Sequence, residues 1–151
     1  MNEINILRTL DHPRIMKLYE VYETMLSIFL ITELLEGGEL FQLLNTKKSY
    51  TESECALILR RIIEPLIYLH QNSVIHRDIK PENLILRTKS TDYDIVIADF
   101  GLAQSLDEKF VSLRCGTPGY CAPEILNLIS STVKYGPKCD VFSVGCVFYH
   151  L

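Results

Sequence analysis

The segment VIHRDIKPENLIL (residues 74–86) places a cluster of charged and polar side chains between two short apolar stretches. Both stretches are typical of buried strands, and a long helical pattern precedes the first of them. A loop that core elements hold at both ends is a frequent location for catalytic groups. The alternative is a solvated turn with surface ion pairs, the usual environment of a charge cluster. The cluster consists of His76, Arg77, Asp78, Lys80, Glu82 and Asn83.

The composition is typical of a globular domain with one core, because 48% of the 151 residues are hydrophobic and 23% are charged. The net charge of -4 argues against nucleic acid as a partner. No apolar run reaches the roughly 18 residues of a membrane span, and the first residues lack a signal-peptide pattern. Five cysteines without a C-x-x-C pair indicate free thiols, which favours a cytoplasmic location and leaves the nucleus open.

Hydrophobic periodicity predicts a short helix over NEINILRTL, with Ile4, Leu7 and Leu10 on one face and the following His-Pro pair ending it. The runs KLYEVYE and SIFLITEL are predicted to be strands joined by a turn near residues 24–27. A second helix is predicted for ELFQLLN. The longest helix is predicted for TESECALILRRIIEPLIYLHQN, where Thr51 and Glu54 form a capping box and an internal proline is expected to bend the helix.

Beyond that helix, short strands are predicted for LIL near residue 85 and DIVIA near residue 96, joined by a solvated hairpin turn. The sequence from Asp99 to about Ala122 has no periodicity and is predicted to form a long loop. APEILNLI and KCDVFSVGCVFYHL are predicted to be helices. The second is apolar on nearly all sides, which is typical of a helix inside a larger protein.

Four motifs resemble those of the eukaryotic protein kinases and occur in the family's order: HRDIKPEN, ADFG, CGTPGYCAPE and DVFSVG. The lysine of DIKPEN and the segment GTPGYCAPE resemble serine/threonine kinases rather than tyrosine kinases. The stretches LDHPRIMKLYEVYE and EGGELF are most similar to the calcium/calmodulin-dependent group. The charges of the opening segment are therefore interpreted as groups that handle a phosphate.

The resemblance implies an α+β, kinase-like fold that is present in part. Residues 1–35 are expected to form a small-lobe remnant with helix C, two strands and the hinge, and residues 36–151 an incomplete, mainly helical large lobe. Truncation at both ends is expected, because no G-x-G-x-x-G loop or V-A-I-K lysine precedes Glu3 and further helices are expected after GCVFYHL. An incomplete gene model and a real truncation both stay open.

The resemblance also implies roles for the charged loop. Asp78 would accept the proton of the substrate hydroxyl, and Lys80 would place a positive charge beside the transferred group. Asn83 and Asp99 carry hard oxygen ligands suited to Mg²⁺. ATP and Mg²⁺ are thus the expected cofactors. The implied cofactor-binding residues are Glu3, Thr32, Glu33, Leu35, Lys80, Glu82, Asn83 and Asp99.

Outside the loop, Glu3 resembles the helix C glutamate that pairs with a strand lysine, although a solvated helix face is the alternative. Thr32 resembles the gatekeeper behind adenine, and the backbone of Glu33 and Leu35 is expected at the adenine edge.

Two acidic residues are expected to select the substrate. Glu39 and Glu82 occupy positions where basic-directed kinases hold arginines N-terminal to the acceptor. For Glu39 the alternative is an acid that favours the helix dipole. The expected partner is a protein with a Ser or Thr acceptor near basic residues, and calmodulin stays open.

Further residues are expected to have structural or regulatory roles. His76 is expected to pack towards Phe100, and Arg77 to hold the activation loop. Leu113 stands where many relatives carry a phosphorylated threonine, so Ser112 is the alternative phosphorylation site. The full set is His76, Arg77, Phe100, Gly101, Ser112, Thr117, Glu124 and Asp140.

Two hypotheses for function remain. The first is an ATP-dependent serine/threonine kinase, present as a catalytic-core fragment. The second is a truncated kinase-like protein that binds partners without catalysis, because the glycine-rich loop and its lysine are absent from these 151 residues.

Overall fold

The fold is α+β, as predicted, and the computed structural model describes residues 2–47, 49–106, 114–127 and 135–151. The helices are α1 (Asn2–Thr9), α2 (Leu40–Thr46), α3 (Glu52–Gln71), α4 (Pro123–Leu126) and α5 (Lys138–Tyr149), with a 3-10 turn at Pro81–Asn83. The strands are β1 (Leu18–Glu23), β2 (Ile28–Thr32), β3 (Gly38–Glu39), β4 (Val74–Ile75), β5 (Leu84–Leu86), β6 (Ile95–Ile97) and β7 (Gln104–Ser105).

The described strands form three antiparallel sheets. β1 and β2 form a hairpin whose turn is closed by a 2.8 Å hydrogen bond from the N–H of Thr24 to the carbonyl of Ser27, as predicted. β3, β5 and β6 form a three-stranded sheet, and β4 pairs with β7. The prediction missed β3 and β7, because a strand of two residues has no measurable periodicity.

The first helix ends earlier than predicted. α1 stops at Thr9, whose hydroxyl donates a 2.8 Å hydrogen bond to the carbonyl of Ile6 and so competes with continued helix. Ile4, Ile6 and Leu7 are its buried residues, so the predicted face was wrong in including Leu10 in the helix and in omitting Ile6.

The long helix α3 begins at the predicted capping box. The N–H of Glu54 donates to the Thr51 hydroxyl at 3.3 Å, and the N–H of Thr51 donates to the Glu54 carboxylate at 2.8 Å. Pro65 lies within the helix and is buried. The buried face of α3 also includes Ile58, Ile62, Leu66 and Leu69.

The substitution Thr51→Ala is expected to lower the free energy of unfolding by about 1 kcal/mol, because the N–H of Glu54 loses its acceptor. Thr51→Ser keeps the hydroxyl and is the matched control, with a midpoint close to that of the unsubstituted chain. Urea denaturation followed by circular dichroism measures both. Equal midpoints for the alanine and serine variants would contradict a role for this cap.

The segment between α1 and β1 is attached to β6. Ile15 pairs with Ile97 in a parallel bridge, where the N–H of Met16 donates to the Ile97 carbonyl and the N–H of Ile97 to the Arg14 carbonyl, both at 2.9 Å. These bonds join the α1–β1–β2 part of the fold to the sheet that carries the charged loop. Both parts contribute residues to one continuous core.

Among the described residues, large apolar side chains are exposed on several elements. Met25 and Leu26 at the hairpin turn are almost fully exposed, and so is Tyr149 at 89% near the end of α5. The helix α5 also exposes Val141, Phe142 and Phe148. Within the described ranges, no helix combines the length and the apolar character that a membrane crossing requires.

Candidate active site

The entrance to the charged loop is fixed by a carboxylate of α5. Asp140 is fully buried, and its oxygens accept hydrogen bonds from the backbone N–H groups of His76 at 3.0 Å and Arg77 at 2.8 Å. Its Oδ2 also lies 2.8 Å from Nε2 of His70. Arg77 has a φ of 69°, a left-handed conformation that costs a non-glycine residue roughly 1–2 kcal/mol. Asp140 thus stabilises a backbone that the local sequence does not favour.

Three side chains hold the carboxylate of Asp78. Its Oδ1 accepts a 2.7 Å hydrogen bond from the Thr117 hydroxyl, and its Oδ2 lies 2.8 Å from Nζ of Lys80 and 3.1 Å from Nδ2 of Asn83. Nζ of Lys80 also donates to the Thr117 hydroxyl at 2.8 Å. The structure therefore brings the predicted residues Asp78, Lys80 and Asn83 together. Thr117, predicted for a structural or regulatory role, joins them from a segment 39 residues away.

This environment keeps Asp78 ionised. Burial alone raises the pKa of the carboxyl group, but the hydrogen bonds from Lys80, Thr117 and Asn83 and the charge of Lys80 outweigh it, and the pKa lies below 3.8. Because this folded-state pKa is lowered, the corresponding stability is present above pH 3.8 and is lost as the pH falls further.

Asp99 follows β6 at the same end of the hairpin at which Asn83 precedes β5. The N–H of Ala98 donates a 2.9 Å hydrogen bond to the carbonyl of Asn83, which fixes the two segments beside each other. Asp99 is exposed, and its Oδ1 accepts from the N–H of Gly101 at 3.2 Å. A Cβ at Gly101 would lie 3.1 Å from that oxygen, so a larger residue would crowd the carboxylate.

The donor set suits a hard cation. Nδ2 of Asn83 is bound to Asp78, so its amide oxygen is the atom that can face a ligand, together with the Asp99 carboxylate. Mg²⁺ prefers such oxygens and usually takes its remaining ligands from water and phosphate. In the described part of the chain, no group of three or more His, Cys, Asp or Glu residues could hold a metal ion.

His76 has the predicted contact with Phe100, with ring centroids 4.9 Å apart in an edge-on arrangement. Nε2 of His76 lies 3.1 Å from the carbonyl of Ala98, and the N–H of Asp78 donates to Nδ1 at 3.3 Å. These partners require a neutral ring with its proton on Nε2. Complete burial lowers the pKa of His76, against the opposing effect of Asp140 and the Ala98 carbonyl.

This lowered pKa predicts destabilisation in mild acid. The unfolded chain takes up a proton near pH 6.5 and the folded chain only at lower pH, so the free energy of unfolding falls as the pH drops below 6.5. The contribution of one such group is at most about 1.4 kcal/mol per pH unit. Urea titrations at several pH values should give a shallower dependence for His76→Gln than for the unsubstituted chain. Equal slopes would show that His76 is not the titrating group.

Arg77 reaches the start of the segment that it was predicted to hold. Its Nε donates to the carbonyl of Leu102 at 2.6 Å, and its Nη1 donates to the hydroxyl of Tyr135 at 2.9 Å. Sequence reasoning missed Tyr135, because nothing in its local pattern marks it. Ser112, the predicted phosphorylation site, lies outside the described residues.

The predicted hinge follows β2, which ends at the partly buried Thr32. The N–H of Glu33 donates to the carbonyl of Lys17 at 2.9 Å, and the Glu33 carboxylate accepts from the N–H of Lys17 and from Arg87. Among the described residues, the carbonyl of Glu33 and the N–H of Leu35 form no hydrogen bond with protein. Both groups belong to the backbone of the two residues that were predicted at the adenine edge.

The remaining predicted acids are placed separately. Glu3 is partly exposed on α1 and Glu124 is exposed on α4, and neither has an ion pair with a described residue. Glu39 is the N-cap residue of α2 and has no side-chain capping bond, so it lies at the helix N-terminus, where its predicted alternative as an acid that favours the helix dipole stays open. Oε2 of Glu82 is buried and has no hydrogen-bond partner in the described ranges.

Residues 1–151 match the protein kinase domain family along the whole chain. The chain therefore belongs to the protein kinase family. Its relatives include human calcium/calmodulin-dependent protein kinase type IV, 45% identical over 150 residues that cover 99% of this chain and 31% of the relative. The type 1 kinase of Macrobrachium nipponense is 44% identical over 150 residues, covering 99% of this chain and 42% of the relative.

The type 1 kinase of Caenorhabditis elegans is 41% identical over 150 residues, which cover 99% of this chain and 42% of that relative. The predicted resemblance to the calcium/calmodulin-dependent serine/threonine kinases is thus confirmed. The chain spans less than half the length of these curated relatives. Members of the family in general use ATP and Mg²⁺ and act on proteins.

Proposed function

We propose that this chain carries the phosphoryl-transfer centre of an ATP- and Mg²⁺-dependent protein serine/threonine kinase. The observation that carries the proposal is the Asp78 carboxylate, which Lys80, Thr117 and Asn83 hold at one end of the β5–β6 hairpin, where Asp99 follows β6. In this proposal residues 1–35 are the small-lobe part with the hinge, and residues 36–151 belong to the large lobe.

Phosphoryl transfer requires an oriented hydroxyl and positive charge near the phosphates, with little covalent help from the protein. Asp78 is ionised at neutral pH and would accept the proton of a substrate hydroxyl while orienting its oxygen. Lys80 lies beside Asp78 and would place its charge next to the transferred group. MgATP, when bound, would supply that group, and Asn83 and Asp99 would hold the Mg²⁺ that offsets the phosphate charge.

The adenine base would bind at the hinge. The free carbonyl of Glu33 and the free N–H of Leu35 provide one acceptor and one donor, and Thr32 lies at the preceding strand end. Glu3 on α1 would pair with a lysine that these 151 residues do not contain. Calmodulin is a candidate regulator only because relatives carry it in their names.

The acidic residues Glu39 and Glu82 would select substrates with basic residues N-terminal to the acceptor. The support is the buried Oε2 of Glu82, which is left without a described partner and would gain one from an arginine. The chimera described below and its Glu82→Gln variant test this specificity through their rates on peptides with and without such arginines. An equal preference in both enzymes would contradict it.

The second candidate function is non-catalytic binding by the 151 residues themselves, which contain no G-x-G-x-x-G loop. Positioning supplies much of the rate in this chemistry, so the 151-residue chain alone is expected to show no magnesium-dependent phosphotransfer.

A chimera separates the two functions. Residues 1–151 replace the matching segment of the human type IV kinase, whose remaining parts supply the absent elements. Phosphotransfer by the chimera, and none by the chain alone, is the expected result. A folded but inactive chimera would favour the binding function, and activity of the chain alone would contradict the expected need for a glycine-rich loop.

A further inference from the structure

Arg87, directly after β5, connects three segments behind the proposed adenine-binding backbone. Its Nη1 donates to Oε2 of Glu33 in the hinge, and its Nη2 donates to the carbonyl of Pro13 at 2.6 Å, in the segment between α1 and β1. Its Nε lies 3.7 Å from Oδ2 of Asp94, just before β6. One guanidinium group thus contacts the hinge, the α1–β1 connection and the β5–β6 hairpin.

The backbone of Arg87 holds the far end of the same hinge. Its carbonyl accepts a 3.1 Å hydrogen bond from the N–H of Glu36, and the preceding carbonyl, of Leu86, accepts from the N–H of Gly37 at 2.9 Å. The N–H of Arg87 donates to the carbonyl of Asp94 at 2.9 Å, which anchors Arg87 within the hairpin. The hinge is therefore fixed at its start by the Arg87 side chain and at its end by the Arg87 backbone.

The carboxylate and the N–H of Glu33 both have partners, and only its carbonyl has none among the described residues. Its carboxylate is shared by Arg87 and the N–H of Lys17, and its N–H is bound to the Lys17 carbonyl at 2.9 Å. The Glu33 side chain is only 11% exposed, so solvent screens its ion pair less than a surface pair. The carbonyl of Glu33 is the group that this arrangement leaves available.

We propose that Arg87 is a positioning residue for adenine recognition. It holds residues 33–36 in the conformation that leaves the Glu33 carbonyl and the Leu35 N–H free and oriented, so binding does not have to order them. This inference rests on the proposed nucleotide site. Arginine is required because its planar fork contacts Glu33 and Pro13 together, whereas the single ammonium group of lysine does not have that geometry.

The first arm of the test measures amide hydrogen exchange in the 151-residue chain. In Arg87→Met, the protected amides of Glu33, Glu36 and Gly37 are expected to exchange about tenfold faster, the effect of losing a hydrogen bond to a charged group. Arg87→Lys is expected to be intermediate. Arg60→Met is the matched control, since Arg60 is 73% exposed and pairs with Glu64 on α3.

The second arm measures the ATP dependence of the chimera described above. Arg87→Met is expected to raise the KM for ATP about tenfold and to leave kcat within about twofold, since the hinge binds adenine and does not touch the reacting atoms. Thermal denaturation shows whether each variant is folded. If Arg87→Met does not fold, the KM for ATP of Arg87→Lys is compared with that of the unsubstituted chimera.

The two arms distinguish the proposals. An inactive chimera contradicts the proposed function, and the exchange rates still decide whether Arg87 orders the hinge. Unchanged exchange at residues 33–37, or a fall in kcat with a constant KM, would overturn the positioning role.

Discussion

Asp78→Asn is expected to lower the kcat of the chimera about a thousandfold, within the range lost when a positioned acid–base group is removed. A carboxamide cannot accept the hydroxyl proton. In either orientation, its Nδ2 replaces an oxygen that now accepts, from Lys80 and Asn83 on one side or from the Thr117 hydroxyl on the other, so the site also loses a hydrogen bond. The KM for ATP is expected to change little, because Asp78 is not among the residues proposed to hold adenine or the metal.

The matched control is Glu52→Gln, which neutralises an exposed carboxylate at the start of α3. Its kcat should equal that of the unsubstituted chimera, with initial rates measured at saturating ATP and peptide. If Asp78→Asn kept more than a tenth of the activity, another group would have to accept the proton, and the role proposed for Asp78 would be wrong.

Local patterns were sufficient for the elements that frame the site. The β5 and β6 strands were recognisable from their aliphatic runs, and that hairpin alone puts Asn83 and Asp99 at one end of the sheet. The capping box of α3 was equally readable, because a side chain and a backbone N–H three residues apart must meet when a helix starts there. Such features depend only on residues close in sequence.

Local sequence patterns could not predict contacts between residues that lie far apart in the sequence. Thr117 reaches Asp78 across 39 residues and Asp140 reaches Arg77 across 63, and no spacing rule encodes either contact. Arg87 was assigned to a solvated turn, since a charged residue beside Thr, Lys and Ser resembles a loop until its partners are known. The apolar sequence of α5 likewise did not predict that Asp140 would be buried and Phe142 exposed.

Asp140→Ala is expected to lower the free energy of unfolding by about 3–5 kcal/mol, the cost typical of removing one partner from a buried charged network. The substitution leaves the N–H groups of His76 and Arg77 buried without acceptors, at roughly 1–3 kcal/mol each. It also removes the bonds that hold Arg77 in its left-handed conformation. Asp140→Asn keeps a single oxygen acceptor. Its free energy of unfolding is expected to lie between those of the unsubstituted chain and of Asp140→Ala.

Asp92→Ala provides the comparison, because Asp92 is a half-exposed carboxylate whose ion pair with Lys47 is expected to contribute at most about 1 kcal/mol. Urea denaturation of the three variants measures the differences. The bonds to Asp140 also set the direction in which the charged loop leaves β4. In Asp140→Ala, the amides of His76 and Arg77 should therefore exchange faster under conditions in which the protein as a whole is still folded. If Asp140→Ala lost as little free energy of unfolding as Asp92→Ala, water would have to replace the carboxylate. In that case α5 would not hold the charged loop in place.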